Sequence, residues 1–416
     1  MGAVSAASAA GRSVRQVGSR VAKAATIVRE DGARALAQRM TRYAYTRLDA
    51  GALNEPLHDA DIADSTLLDL PVPAVRPVRP QPLTVGWVTN PPSAGSGGHT
   101  TLFRMVEAVE QAGHRCELFL YDRYGGDLRG HERIIRQWWP SVRAGVHSAD
   151  DGIAGVDAVV ASSWDTAHIL AKRATAPTRR LYFIQDYEPF FYARGSMYSL
   201  AEDSYRFGFR CIALGDMVAD LLRSEVGVAA DVTEFGCDTS VYRILPGHRR
   251  TGVVLYARPE VPRRGYWLAR LALQRFHELQ PDVDIHLYGA RVKGLSFPAI
   301  QHGKLAPSEL NELYNDSIAG LAMSFTNISL VAEEMLAAGT IPVVNDSPHS
   351  RADLVNEHVS WATPTPEGIA AALAAAVTRP RMLEAAEAAS RSVREFGWSK
   401  AQADVVRIVE QEVYGS

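Results

Sequence analysis

Cysteine is scarce in this chain. Its 416 residues include three, Cys116, Cys211 and Cys237, widely separated and without a CxxC pair. That excludes a disulfide-stapled scaffold and a paired-thiol metal site, and leaves each as a buried thiol in a reducing interior. Nowhere do about 18 apolar residues run together, so no membrane-spanning helix is expected. No HExxH pair, GxSxG elbow or Walker lysine loop occurs, which argues against zinc hydrolase, serine hydrolase and nucleoside-triphosphatase chemistry. The net charge is only −3, too small for a global field that would draw nucleic acid or acidic substrates, so any anion site must be local. No secretory-leader pattern is read at the N-terminus, and the expectation is a cytoplasmic protein.

With 47% hydrophobic residues over 416 positions, the chain can form two to three domains of about 100–200 residues each. Residues 11–49 carry nine Lys or Arg against three acids, with Leu36, Met40 and Tyr43 at helical spacing opposite Arg34, Arg42 and Arg47. Two readings fit this basic amphipathic pattern: a helix lying on an anionic membrane surface, or a solvated helix packed on the protein's own body. The stretch LPVPAVRPVRPQP, Leu70 to Pro82, has too many prolines for a helix or central strand and reads as an extended connector. The packed body is expected to begin after it.

From Leu83 onward, short apolar runs alternate with helical stripes. LTVGWVTN, CELFLYD, VDAVVASS, RLYFIQD, FRCIALG and DVTEFG read as strands of one series. TGVVLYAR, DIHLYGA, IAGLAMS and TIPVVND belong to a second, with helices expected over 266–279 and 307–315, and with Thr326 to Asp346 read as a helix of about four turns feeding the strand TIPVVND. Apolar strands joined by helical crossovers imply parallel sheets buried on both faces. The expected organisation is a helical extension and linker at 1–82, a Rossmann-like domain at 83–247 and a second at 248–398. A last helix, 399–416, crosses back onto the first domain.

In open parallel sheets ligands bind beyond the carboxyl ends of the strands. After the first strand, Gly97 and Gly98 in GSGGHT let backbone approach a ligand, although Thr100 stands where a dinucleotide fingerprint would have its third glycine. After the first strand of the second domain, YARPEVPRRG brings Arg258, Arg263 and Arg264 together, and guanidinium forks match phosphate oxygens. The segment TNISLVAEEMLAAGTIPVVND supplies Asn327 or Ser329 as a helix cap that would favour an anion. Its Glu333 and Glu334 diverge by about 100° around the helix, so one faces the cleft and the other is solvated or paired. A carboxylate there suits ribose or sugar hydroxyls. The acidic pairs Asp59/Asp61 and Asp282/Asp284 lie away from the ligand end and read as structural, so no metal site is expected.

SGGHT, ARPEVPRRG and EMLAAGTIPVV together resemble the retaining, metal-independent glycosyltransferases of the GT-B architecture, family 4, from Leu83 to the C-terminus. QDYEPFFYARGSMYSLAEDSYRFG looks closer still to the rhamnosyltransferase branch that builds bacterial surface glycans. The resemblance implies α/β fold, two Rossmann-like domains across a cleft, and transfer of a hexosyl or deoxyhexosyl group from a nucleotide-sugar to a glycan or lipid-linked glycan acceptor in cell-envelope polysaccharide biosynthesis. It implies no cofactor. Arg258 and Arg264 would lie on the diphosphate and Glu334 on the ribose. Gly97, Gly98, Thr326, Asn327, Ile328 and Ser329 would line the donor, and His99, Asp165, Asp186 and Glu188 would contact sugar or acceptor. One departure stands out: Thr326 occupies the position, eight residues before Glu334, where the family carries a first glutamate. That unsettles common hexose donors and suits a deoxysugar such as rhamnose. It also keeps a second reading open, a non-catalytic nucleotide-sugar- or glycan-binding subunit.

Overall fold

The computed structural model describes residues 40–41, 55–327, 330–393 and 397–415. The basic helix expected within 11–49 lies outside the described residues except for Met40 and Thr41, as do Ile328 and Ser329. Residues 59–416 form one packed unit. Among the described residues no helix is long and apolar enough to cross a membrane.

Two parallel sheets carry the unit. The first contains β1 (Thr84–Thr89), β2 (Arg115–Leu120), β3 (Gly145–Ser148), β4 (Ala158–Ala161), β5 (Arg179–Ile184), β6 (Arg210–Leu214) and β7 (Ala230–Thr233). Their order is β3-β2-β1-β4-β5-β6-β7, so the sheet reverses direction of growth at β1. Its helices are α1 (Gly97–Gln111), α2 (Leu128–Trp138), α3 (Trp164–Arg173), α4 (Ser196–Ser204) and α5 (Asp216–Leu221). The second sheet contains β8 (Gly252–Ala257), β9 (Asp284–Gly289), β10 (Ile300–Gly303), β11 (Ser317–Leu321), β12 (Ile341–Asn345) and β13 (Ser360–Ala362), in the order β10-β9-β8-β11-β12-β13. Its helices are α6 (Tyr266–Leu279), α7 (Pro307–Asp316), α8 (Leu330–Ala337), α9 (Pro348–Asp353), α10 (Pro366–Val377) and α11 (Met382–Ser392). The last helix, α12 (Ser399–Tyr414), buries Val405, Ile408 and Val409 in the core of the first domain.

The central strands explain the sequence pattern. Every residue of β4, β11 and β12 is buried, as helices on both faces require. Three second-domain helices, α7, α9 and α10, begin on proline, whose missing N–H would be unpaired there anyway. Gly320 in β11 sets the depth of α8: a Cβ there would come within 2.6 Å of Met335 Cε. That close approach fixes the face on which Glu333 and Glu334 stand.

Two expectations change here. The segment before Leu83 is a strap clasped to the first domain, and the packed unit begins at Asp59. The Arg173 guanidinium donates to both oxygens of Asp61 at 2.8–3.0 Å, Ala63 N–H donates to His168 Nδ1 at 3.0 Å, and Arg180 donates to the Pro71 carbonyl at 2.8 Å. Asp61 is thus a structural ion-pair partner. Helix α8, in turn, spans eight residues, about two turns. The three cysteines are buried and unpaired, and burial pushes the Cys116 and Cys211 thiols up to about 12.

Candidate functional site: the seam between the two sheets

The carboxyl ends of both sheets meet, and the loops leaving them hold the site. On the second-domain side, β8 leads into the turn Arg258 to Gly265. Gly265 takes a left-handed φ of 64°, which ends the 3-10 turn Pro262–Arg264 and opens α6. Arg264 points inward and donates through Nη1 to Ser324 Oγ at 2.9 Å. Ser324 is fixed in turn by Asn345 of β12, whose amide accepts from Ser324 N–H at 2.8 Å and donates to the Ser324 carbonyl at 2.7 Å. Burial, with the Arg263 charge beside it, lowers the Arg264 guanidinium to about 10. Among the described residues, none of the ion pairs within 4.0 Å involves Arg264. A half-buried cation held by a single hydroxyl is partly desolvated without an ion-pair partner, a cost that an arriving anion would offset.

Arg258 is placed differently. It is ion-paired with Glu260, donates to Tyr256 Oη at 2.7 Å and lies over the Tyr256 ring. Arg263, which the family pattern did not single out, faces the first domain instead. Its guanidinium lies 4.2 Å from the centre of the Phe191 ring and 3.6 Å from Asp186 Oδ2.

The loop after β11 brings Thr326 and Asn327 to the same seam, where they are 1% and 8% exposed. Both bond to the loop after β5. Thr326 Oγ1 donates to Asp186 Oδ2 at 2.8 Å, Asn327 N–H to Asp186 Oδ1 at 3.1 Å, and Asn327 Nδ2 to the Gln185 carbonyl at 2.7 Å. The structure therefore gathers Arg264, Thr326, Asn327 and Asp186 in one place, and adds Arg263, Ser324 and Gln185. Arg263 lies inside the quoted arginine cluster and was legible. Ser324 and Gln185 gave no sequence signal, because only the pairing of the two sheets gives them partners.

The adjacent glutamates reverse part of the expectation. Glu333 is neither solvated nor paired: it is buried, and its Oε2 has no hydrogen-bond partner. Burial, then the charge of Asp353, push its carboxyl up to about 7. Glu334 is half-buried and hydrogen-bonds Tyr242. Burial and the Glu333 charge raise it to about 7, against the opposing pull of Arg104. Arg104, on α1, bonds Asp238 in the interdomain connection at 3.1 Å and lies over Trp398. Asp353 of α9 crosses the seam as well, accepting from Asp216 N–H at 2.5 Å, and burial raises it to about 6. Three carboxyls raised mainly by burial thus follow one another from the interdomain connection to α5.

On the first-domain side, Gly97 and Gly98 are not loop residues: they form the first turn of α1. A Cβ on Gly97 would meet nothing within 4 Å, and one on Gly98 only Gln185 Oε1 at 3.9 Å. The protein itself has room for a side chain at either, so its own packing does not require glycine there. Gly98→Ala should accordingly leave the melting temperature unchanged while weakening substrate binding several-fold. Paired thermal melts and titrations check this, and a destabilised variant would show a structural role instead.

His99 bonds Ser96 Oγ at 2.9 Å and the Asn90 carbonyl at 3.1 Å, and burial lowers its pKa. A neutral ring donating from Nε2 to the carbonyl and accepting from Ser96 at Nδ1 satisfies both contacts. Asp165 accepts from Asn90 Nδ2 at 2.8 Å, from Ser163 Oγ and from Thr166 N–H at 2.9 Å. Glu188 accepts from Trp164 N–H at 2.5 Å, covering the start of α3, and burial with the Asp165 charge beside it holds its carboxyl well above the usual range. His99, Asp165 and Glu188 are therefore engaged with their own loops. Only Asp186 reaches across.

Comparisons with known proteins agree with this geometry. Residues 152–216 match the WsaF N-terminal domain model and residues 251–374 the WsaF C-terminal domain model. The O-antigen biosynthesis protein RfbC of Myxococcus xanthus is 30% identical over 318 residues, 71% of this chain and 25% of that protein. The chain thus spans about a quarter of the length of this curated relative. Among solved structures, Anabaena Alr3699/HepE in complex with UDP and glucose aligns with a TM-score of 0.62 at 13% identity, covering 80% of this chain and 100% of that one. S. aureus TarM, solved with UDP and alpha-GlcNAc-glycerol, aligns with a TM-score of 0.61 at 7% identity, again over 80% and 100%. Two parallel-sheet domains, each matched in part by a WsaF domain model, give this chain the GT-B fold of these structural neighbours.

Proposed function

We propose that the chain transfers a sugar from a nucleoside-diphosphate donor to a hydroxyl of a bacterial surface or envelope glycan, with retention and without a metal, and that dTDP-L-rhamnose is the donor to test first. The observation that carries the reading is Arg264, a half-buried guanidinium at the seam with one hydroxyl as its hydrogen-bond partner. A leaving diphosphate would supply the missing negative charge. The name of the Myxococcus relative supports a surface glycan as product, and the UDP complexes of HepE and TarM support a nucleotide-sugar donor.

In this reading Arg264, joined by Arg258 once it leaves Glu260, stabilises charge growing on the diphosphate as the glycosidic bond breaks, and that electrostatic term is usually the largest. Glu334 accepts from the ribose hydroxyls in exchange for Tyr242. The loops at the seam exclude water that would otherwise hydrolyse the donor. The acceptor's proton passes to the leaving phosphate.

Purified protein incubated with dTDP-rhamnose, UDP-glucose and GDP-mannose, with binding and slow nucleotide release measured, tests the proposal. One donor should respond, and Glu334→Ala should weaken its binding about tenfold or more, the loss expected for a charge-assisted hydrogen bond. An unchanged affinity in that variant removes Glu334 from the ribose. Binding without turnover of any donor would favour the non-catalytic subunit.

A further inference from the structure

Asp186 belongs to the first domain, at the end of β5, yet its carboxylate is bonded to the second. It accepts from Thr326 Oγ1 at 2.8 Å and from Asn327 N–H at 3.1 Å, with the Arg263 guanidinium at 3.6 Å, and the residue is 6% exposed. A hydroxyl, a main-chain N–H shortly before a helix and a guanidinium form a donor set suited to a phosphate oxygen. Here a side chain of the protein holds all three.

Asp186 satisfies that set incompletely. Arg263 Nε is buried with no hydrogen-bond partner, since 3.6 Å is too long, and Asn327 Oδ1 is buried without one too. Groups built only to lock two domains together would be expected to close these contacts. Asp186 is also the carboxylate whose charge favours the protonated form of the half-buried Arg264. The other charged groups at this point are Arg263 and Arg264 across the seam and Glu188 on its own side.

We infer that Asp186 is a specificity-determining residue of the donor site, a built-in anion that holds the phosphate position until a donor diphosphate displaces it. The inference rests on the proposal that Thr326 and Asn327 face the donor. Two consequences follow from the geometry. A ligand must carry enough negative charge to compete with a carboxylate already in place, which disfavours nucleosides, free sugars and, to a lesser degree, monophosphates. Because Asp186 stands on the opposite domain, its displacement also removes three contacts across the seam, so donor arrival and loosening of the domains are one event.

Isothermal titration of the full chain with UDP, dTDP, GDP and inorganic pyrophosphate tests this on wild type, Asp186→Asn and Asp186→Ala, each checked by thermal melting. If the phosphate position is free of Asp186 about one-tenth of the time, the variants should bind the preferred nucleoside diphosphate about tenfold tighter. The donor KM should fall in step. The matching nucleoside monophosphate should gain less.

Folded variants that bind the diphosphate equally or more weakly overturn the inference and leave Asp186 a sugar contact or a structural bridge, with the donor reading intact. If no nucleoside diphosphate binds wild type or variants, the donor reading falls and the inference with it. Should both variants fail to fold, hydrogen exchange of wild type decides: pyrophosphate should speed exchange in the segment 185–187, and unchanged protection overturns the displacement.

Discussion

Replacing Arg264 by methionine should lower kcat/KM by on the order of 100-fold, the loss typical of one electrostatic stabiliser of transition-state charge, and yet raise the melting temperature. The two effects have the same origin. The guanidinium is half-buried, its desolvation lowers it to about 10, and its one hydrogen bond goes to Ser324 Oγ. In the free protein that charge is a liability, because desolvation is offset by a single hydroxyl and by the more distant carboxylate of Asp186. An apolar side chain of similar length removes the liability. A gain of about 1 kcal/mol would lift the melting point by roughly 2–4 °C in a domain of this size. Thermal melts and steady-state kinetics on the same preparation check both halves. A variant that is inactive and also less stable would mean that Arg264 holds the loop after β11 in place and is not a charge kept for a ligand.

Glu333→Gln should stabilise the protein at pH 8 and leave it nearly unchanged at pH 4. Burial and Asp353 raise the Glu333 carboxyl to about 7, above its unfolded value of 4.5. A carboxyl raised on folding binds its proton more tightly in the native state. Its favourable contribution is therefore fully present below the unfolded value and is lost as pH rises through about 7. At pH 8 the native state must hold an ionised carboxylate whose Oε2 has no partner. The shift corresponds to a penalty of roughly 3 kcal/mol, at about 1.4 kcal/mol per pH unit. The amide removes it. Melting curves of wild type and variant at pH 4, 5, 6, 7 and 8 should nearly coincide at pH 4, separate between about pH 4.5 and 7 and keep a constant gap above that; a gap that does not change from pH 4 onward would show that Glu333 ionises normally.

Glu334 titrates in the same range, since burial and Glu333 raise it to about 7. Ribose hydroxyls are bound better by the ionised form, so donor affinity should rise with pH through about 7 while stability falls. The pH at which the enzyme grips its donor best is then not the pH at which it is most stable. That opposition is what a polar site buried before its ligand arrives would produce.

The strands of both sheets were legible because a parallel strand buried on both faces is a continuous apolar run, as in VDAVV and TIPVV. Helices α6, α7 and α12 were legible from their spacing. Other elements gave no such signal: β10 and β13 have four and three residues, too few to show a period. The strap over 59–82 was read as a connector because proline content reports backbone geometry, and the clasp between Asp61 and Arg173 joins residues 112 positions apart.

The two parallel sheets and the positive turn that ends in Arg263, Arg264 and Gly265 were readable from the chain alone. These depend on local periodicity and on residue chemistry, which survive without any partner. Which arginine points inward, which carboxylate crosses the seam and which glutamate lacks a partner were decided only by tertiary structure. Asp186 and Thr326 are 140 positions apart and meet because two separately folded sheets face each other. Burial and charge pairing belong to that meeting, and no local pattern encodes them.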